Sequence, residues 1–104
     1  MMIKTAEEAL AVMAQVYTDH PELFAKGAGA RDKNGEQCHF PSNEAVSFDA
    51  AGFIRRMEAN VQIQAINLLS SRCEHLYALD IIGTNDALGR EEIIKACLYK
   101  SGGE

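Results

Sequence analysis

The polar residues that stand out in this sequence could serve either acid–base catalysis or a structural role. They are an arginine, three aspartates and an asparagine: Arg31, Asp32, Asp49, Asn85 and Asp86. Aspartates whose surroundings separate their pKa values can act as a general acid and a general base. Such a site requires at least two of the carboxylates to meet in a cleft. The alternative is structural, because a buried carboxylate must be paired or hydrogen-bonded.

Asp49 carries the most information, because the sequence around it is largely apolar. Ala45, Asp49 and Phe53 recur at helical spacing, which predicts a helix with Asp49 on its buried face. A buried aspartate needs a partner. The candidate cations are Arg31, Arg55 and Arg90. A structural aspartate–arginine pair is favoured over a catalytic acid.

The adjacent residues Asn85 and Asp86 follow the turn-forming Gly83 and precede an apolar helical pattern. Short side chains of these types accept hydrogen bonds from the free amides at the start of a helix. A capping role is therefore favoured over a catalytic role for both residues.

Metal, thiol and phosphate chemistry are disfavoured by the spacing of the residues that they need. Neither Cys38 with His39 nor Cys73 with His75 has the paired ligand spacing of a zinc finger or zinc ribbon. Cys73 and His75 also point apart on a regular helix, which disfavours a cysteine hydrolase. The glycine-rich segment KGAGARD lacks the residue order of a phosphate-binding loop. No metal site and no cofactor are predicted.

The composition is that of a small acidic domain. The chain has 104 residues, with 10 Lys and Arg, 15 Asp and Glu, and a net charge of −5. This charge disfavours direct binding of nucleic acid, whereas it would attract proteins that themselves bind DNA. No apolar run approaches the ~20 residues of a membrane span, and the first residues do not resemble a signal peptide. Three cysteines cannot all pair within one chain, so free thiols and a cytoplasmic location are expected.

The first element that positions these residues is an amphipathic helix. Thr5 and Glu8 have the spacing of a capping box, in which a hydroxyl and a carboxylate satisfy free amides at a helix start. The apolar stripe behind them predicts a helix over residues 6–19. Pro21 should end this helix and open a short helical turn, because the residue before a proline avoids helical geometry.

The predicted fold is all-α, with four main helices around one core. Besides the first helix, the others are predicted from a cap at Ser42 or Asn43 to about residue 58, over about 60–74, and over about 90–100. Residues 1–104 would form a single domain, and residues 101–104 a flexible tail.

Two glycine signals add detail to this bundle. Asn34 and Gly35 predict a tight turn in a β-hairpin over about residues 29–40, inserted after the first helix. Gly52 falls inside the predicted second helix, where a glycine costs ~1 kcal/mol relative to alanine. The usual compensation is a close approach of another backbone, and the first helix is the expected neighbour.

Several of these segments resemble a family of small, uncharacterised bacterial and phage domains. The resemblance rests on KGAGARD followed by Gly35, on a helix bearing Gly52, and on Asn85-Asp86-Ala87 leading through Gly89-Arg90 into the last helix. It covers Phe24 to about Tyr99. It implies a fold and no reaction. It also implies that Arg31-Asp32, Gly52 and Asn85-Asp86 come together, with Asn85 or Asp86 tying the hairpin to the last helix.

The chain departs from the family pattern at two positions. Phe48-Asp49 stands where the family has an aromatic residue followed by cysteine, and Phe53 stands where a small residue would follow Gly52. Any role of that cysteine is therefore missing from this chain.

The sequence as a whole favours a non-enzymatic role over an enzymatic one. The expected function is a small acidic protein-binding or regulatory module of bacterial or phage origin, such as an inhibitor of a host macromolecular complex. Its partner would be a protein, not a nucleic acid or a membrane, and a homodimer is one form that it could take. The alternative is a small hydrolase-like enzyme or ligand-binding domain that uses clustered aspartates.

Overall fold

Helices make up most of the protein, whose computed structural model describes residues 3–39 and 43–100. The helices are α1 (Ala6–Asp19), α2 (Ala50–Arg55), α3 (Ala59–Tyr77), α4 (Ile81–Gly83) and α5 (Arg90–Leu98). A small β-sheet is inserted between α1 and α2. The prediction of a mostly helical fold with an inserted hairpin is confirmed. The predicted tail at 101–104 lies outside the described residues.

The start and end of α1 follow from its local sequence. The amide of Glu8 donates to the Thr5 hydroxyl at 3.0 Å, and the Thr5 amide donates to the Glu8 carboxylate at 3.2 Å, which completes the predicted capping box. The helix ends before Pro21, which begins a short 3₁₀ turn, Pro21–Leu23. Both predicted boundaries of the first helix are confirmed.

The core lies where α1, α3 and α5 pack against one another. Its large, fully buried side chains come from these helices and α2: Leu10, Met13, Tyr17, Ile54, Val61, Leu69 and Ile93. Each of the aliphatic ones stabilises the fold by about 1.5–3 kcal/mol through its removal from water. The apolar stripe predicted for the first helix is the surface that α1 contributes to this core. The spacing of apolar residues in the two later helices also pointed to Ile63 and Leu98, but these side chains are exposed.

The hairpin is part of a three-stranded antiparallel sheet. Strands β1 (Ala30–Arg31) and β2 (Gln37–Cys38) pair across a turn in which Gly35 has a φ of +82°, a conformation that glycine adopts freely. A third strand, β3 (Ser47–Phe48), pairs with the other edge of β1. The hairpin prediction is confirmed within the described residues, whereas β3 was not predicted.

The predicted starting residue of the second helix is wrong. Ser42 lies outside the described residues, and Asn43 begins no helix, because residues 47–48 form β3 instead. Helix α2 begins only at Ala50, so Asp49 lies at its N-cap and not inside it. The backbone amide of Val46 donates to the Arg31 carbonyl at 2.8 Å. This pairing with β1 outweighs the local apolar spacing that suggested a helix.

Gly52 permits the close contact that its position suggested, although with a different neighbour. A Cβ atom at this position would collide with the backbone carbonyl oxygen of Gly29, in the loop before β1. The Asp49 amide donates to the same carbonyl at 3.1 Å. The prediction of a close backbone approach is confirmed, but the approaching backbone belongs to the loop before β1 and not to α1.

An irregular segment connects α3 to α5. Helix α3 ends at Ala78, which has a left-handed φ of 59°. Helix α4 then continues into a single π-helical turn, Thr84–Leu88, which ends at Gly89 with a φ of 113°. Turns of this kind widen the helix and turn side chains into unusual directions. Across the described residues, every helix is too short or too polar to cross a bilayer.

Candidate functional site

Asn85 lies at the centre of the polar groups that the sequence singled out. It is fully buried in the π-helical turn. Its side-chain amide donates to the Ala25 carbonyl at 3.0 Å, and its Oδ1 accepts from the Ala50 amide at 2.9 Å. Asn85 therefore fastens two segments that are far away in sequence: the loop after α1 and the first residue of α2.

Asp86 extends the same network toward the surface. Its Oδ1 accepts from the backbone amide of Gly27 and from the side chain of Asn85, both at 2.9 Å. Gly27 has a φ of +81°, which aims its amide at this carboxylate. The link from Asp86 to the loop before the hairpin is the type of tie that the family resemblance implied. The prediction that these residues cap the helix that follows them is wrong, because the N-cap of α5 is Gly89. Asn85 instead accepts from the amide at the start of α2.

Asp49 is the N-cap residue of α2. Its Oδ1 accepts from the Gly52 amide at 2.6 Å. Burial raises the pKa of Asp49, and the nearby charge of Asp86 adds to the increase. The Gly52 amide and the charge of Arg55 act in the opposite direction. We refer to Asp49, Asn85 and Asp86 as the polar cluster.

Of the three predicted cations for Asp49, Arg55 is the one whose charge acts on this carboxylate. Arg90 instead donates to the carbonyl of Tyr17 at 2.8 Å. Arg31 donates to the carbonyls of Lys26 and Gly35, both at 2.9 Å. Both of these arginines thus satisfy backbone groups.

Asp32 stands apart from the polar cluster at the tip of the hairpin. Its Oδ1 accepts from the amides of Asn34 at 2.9 Å and Glu36 at 3.0 Å, which holds the turn between β1 and β2. The five predicted site residues are therefore not one constellation. Asp49, Asn85 and Asp86 come together, Arg31 reaches them only through the loop at Lys26 and Gly27, and Asp32 serves the hairpin.

The cavities bear on whether these residues face a ligand. Asp32 lines a surface cavity of about 390 Å³, together with Lys33, Asn34, Asn43, Glu44 and Val46. Three further cavities, of about 360, 260 and 200 Å³, are lined by other described residues. None of these four includes a member of the polar cluster in its lining.

Arg72 was missed by the sequence analysis. It lies in the buried stripe of α3 and donates to the Cys97 carbonyl at 2.9 Å, at the end of α5. Its second nitrogen contacts both oxygens of Glu7 in α1, at 2.9 and 3.0 Å. One signal was available, since an arginine between Leu69 and Cys73 interrupts an apolar stripe and must find acceptors inside the fold.

Two of the three thiols lie in the core, and the third lies in the small sheet. Cys73 and Cys97 are buried in the core, while Cys38 lies in β2. Burial raises the pKa of Cys73 and raises that of Cys97 to about 12, so both remain protonated thiols at neutral pH. The Thr84 hydroxyl beside Cys73 lowers the pKa of that thiol by less than burial raises it. Among residues 3–39 and 43–100, no three His, Cys, Asp or Glu side chains form a metal-binding group.

No protein-family model, no curated protein and no solved structure matches this chain. The resemblance to small bacterial and phage domains stays a prediction.

Proposed function

We propose that this chain is a non-enzymatic protein-binding module of bacterial or phage origin, whose acidic surface contacts a basic protein. An inhibitor of a host macromolecular complex is the concrete form of the proposal. The observation that carries it is the use of the polar cluster: Asn85 and Asp86 direct their hydrogen bonds to the backbone at Ala25, Gly27 and Ala50. Groups so engaged hold the fold together, which leaves function to the surface.

The arrangement of the arginines supports an acidic exterior. Arg72 is buried and Arg31 and Arg90 are half-buried, and each donates to a backbone carbonyl. Most of the acidic side chains that the structure describes are exposed, whereas three of the five arginines are not. A surface of this kind attracts basic proteins over distances of about 10 Å at ordinary ionic strength.

Three exposed acids lie where the end of α1 meets the start of α5. Asp19 and Glu22 flank the end of α1, and Glu91 lies in the first turn of α5. The hydrogen bond from Arg90 to the Tyr17 carbonyl holds these two helix ends together. We call Asp19, Glu22 and Glu91 the acidic end.

The chemistry of the acidic end indicates the class of partner. Carboxylates presented by a rigid scaffold compete with phosphates for lysine and arginine side chains. A host protein that binds nucleic acid carries such side chains on its binding surface. Occupation of that surface by the acidic end would block access of the nucleic acid, which is how the module would inhibit its target.

The enzymatic alternative requires Asp49 and Asp86 to converge on an open cleft. The raised pKa of Asp49 and its proximity to Asp86 are features that a general acid would share. The Oδ1 atoms of both carboxylates instead accept from backbone amides, at Gly52 and Gly27. This engagement favours the binding module.

The proposal is tested by affinity capture from a bacterial lysate followed by mass spectrometry. The wild-type chain should retain one basic protein in a stoichiometric amount at low salt, and less of it as the salt concentration rises. The variant Glu22→Gln with Glu91→Gln should retain less of that protein, because it removes two charges from the acidic end.

A charge-matched variant serves as the control for this experiment. Glu36→Gln with Glu58→Gln removes the same number of charges from the hairpin and from the start of α3, both exposed positions. It should retain the partner in nearly the wild-type amount. Absence of a stoichiometric protein in the wild-type capture, or equal losses from both variants, would contradict binding through the acidic end.

A further inference from the structure

The first part of α3 is an uncharged surface on a highly charged protein. Residues 59–71 contain no Asp, Glu, Lys, Arg or His, although 24% of the chain is charged. Several of them face solvent: Asn60, Ile63, Gln64, Asn67 and Ser71. Ile63 is 73% exposed among these uncharged side chains, so an apolar group lies at the centre of a neutral surface.

A groove beside this ridge continues the neutral surface. The cavity of about 200 Å³ between α2, α3 and α4 is lined by Ala51, Arg55, Ile66, Ser70, Asp80, Ile81 and Ile82. Its single cation and single anion balance each other. Ile82 is 55% exposed at its edge. We call Asn60, Ile63, Ile66, Asn67 and Ile82 the α3 face.

We propose that the α3 face is the docking site for a second copy of this chain, with the two α3 helices antiparallel about a two-fold axis. Two molecules that each carry a charge of −5 repel each other, and the repulsion is weakest where the facing surfaces are neutral. Depletion of charged residues is also what distinguishes the centres of protein interfaces. A basic partner would find no opposite charge here, whereas a second copy meets a surface of its own kind.

The antiparallel arrangement follows from the positions of the polar residues. Asn67 lies midway between Asn60 and Glu74 on the exposed side of α3, so an antiparallel pair of α3 helices can have its two-fold axis at Asn67. An asparagine on the axis can donate to and accept from its own copy.

The dimensions of the face predict a weak dimer. Helix α3 has 19 residues, a length of about 28 Å at 1.5 Å per residue, and the exposed face of a helix is about 10 Å wide. With the groove included, this area falls below the ~800 Å² per partner of a standard interface. The dimer should therefore be weak: it should form at high protein concentration and dissociate on dilution.

Sedimentation velocity on the full chain measures this equilibrium directly. The wild-type protein should sediment as an 11.4 kDa monomer at the lowest concentrations and approach twice that mass at the highest. Ile63→Glu should remain monomeric throughout. Val46→Glu is the matched control, because Val46 is 45% exposed in a cavity whose lining contains no residue of α3, and it should dimerise like the wild type. A wild-type chain that stays monomeric, or an Ile63→Glu chain that dimerises normally, would overturn the proposal.

Crosslinking tests the axis independently. In a Cys38→Ser background, which removes the thiol that lies outside the core, Asn67→Cys should form a disulfide-linked dimer when treated with oxidised glutathione, because a residue on the axis meets its own copy. Val46→Cys in the same background should remain uncrosslinked, because Val46 lies beside the hairpin and not on α3. Equal crosslinking of the two variants would show random collision and would contradict the assigned face.

Discussion

The Asn85 side chain forms hydrogen bonds with two backbone groups that have no partner within a strand or a helix. The groups that it binds, the Ala25 carbonyl and the Ala50 amide, belong to a loop and to a helix start. Each would be buried without a partner if the side chain were removed. An asparagine suits the position because one side chain supplies both a donor and an acceptor.

Asn85→Ala should destabilise the protein by about 2–4 kcal/mol, because two buried backbone groups lose their partners. Asn85→Asp should lose a comparable amount, since a carboxylate accepts from Ala50 but cannot donate to Ala25. Urea unfolding followed by circular dichroism measures both. Asn60→Ala, at an exposed position of α3, should stay within about 0.5 kcal/mol of the wild type. A similarly small effect at Asn85 would show that the network is dispensable.

Asp49 should make stability depend on pH in a defined direction. Its pKa in the fold is raised above the ordinary value of 3.8, so its favourable contribution is complete below pH 3.8 and is lost as the pH rises through the higher folded-state pKa. Asp49→Asn keeps the capping oxygen and removes the charge. The variant should gain stability relative to the wild type between pH 3.8 and pH 7, as measured by urea unfolding at each pH. A variant that is less stable at neutral pH would mean that the Gly52 amide and the charge of Arg55 together outweigh burial.

The residues of the polar cluster could be singled out from the sequence, but their partners could not. Aspartate and asparagine in apolar surroundings are conspicuous, because such groups must be satisfied when buried. Asn85 and Ala25 are, however, 60 residues apart, and Asp86 and Gly27 are 59 apart. Local rules describe caps and turns within a few residues. They do not say which distant carbonyl or amide will lie within reach.

At the scale of elements, the contact between α2 and the loop before β1 fixes the position of the sheet relative to the helices. Gly52→Ala should destabilise the protein by about 1–3 kcal/mol, because the added Cβ meets the Gly29 carbonyl and the backbone must shift. Gly29→Ala is a close control, since a Cβ there meets nothing within 4 Å. Thermal unfolding of the two variants should separate them clearly. Equal melting temperatures would contradict the close approach.

Arginines from distant elements donate to backbone carbonyls at the ends of α1 and α5. Arg72→Met keeps the apolar stem but leaves the Cys97 carbonyl without its donor, and should cost about 2–3 kcal/mol. Glu7→Gln should cost less than about 1 kcal/mol, because the Glu7 side chain is 71% exposed and surface ion pairs contribute little. Urea unfolding compares the two variants. Equal losses of stability in the two variants would show that Arg72 acts through its ion pair with Glu7 and not through its hydrogen bond to the end of α5.

The elements differ in how well their sequences predict them. Helix α1 was predictable because its capping box, apolar stripe and Pro21 all agree. The hairpin was predictable from Asn34-Gly35. Strand β3 was not, because a two-residue strand has no periodicity and forms only by pairing with β1. The same pairing delays the start of α2.

The whole molecule leaves one part of its surface without charge. Exposed acids lie on α1, on the hairpin, at both ends of α3 and on α5, whereas the residues of the α3 face carry no charge. This division allows two contacts at once: a basic protein at the acidic end and a second copy at α3. A dimer would present two acidic ends, which strengthens attachment to a partner with two basic sites through effective concentration.

The most direct test compares a neutralised polar cluster with the intact one in the same capture experiment. Asp49→Asn with Asp86→Asn keeps the oxygens that accept from Gly52 and Gly27 while removing both charges. If the cluster holds the fold and the surface binds the partner, this variant should retain the same basic protein in the same amount as the wild type. Loss of the partner by a variant that remains folded would place the function in the cluster and contradict the account.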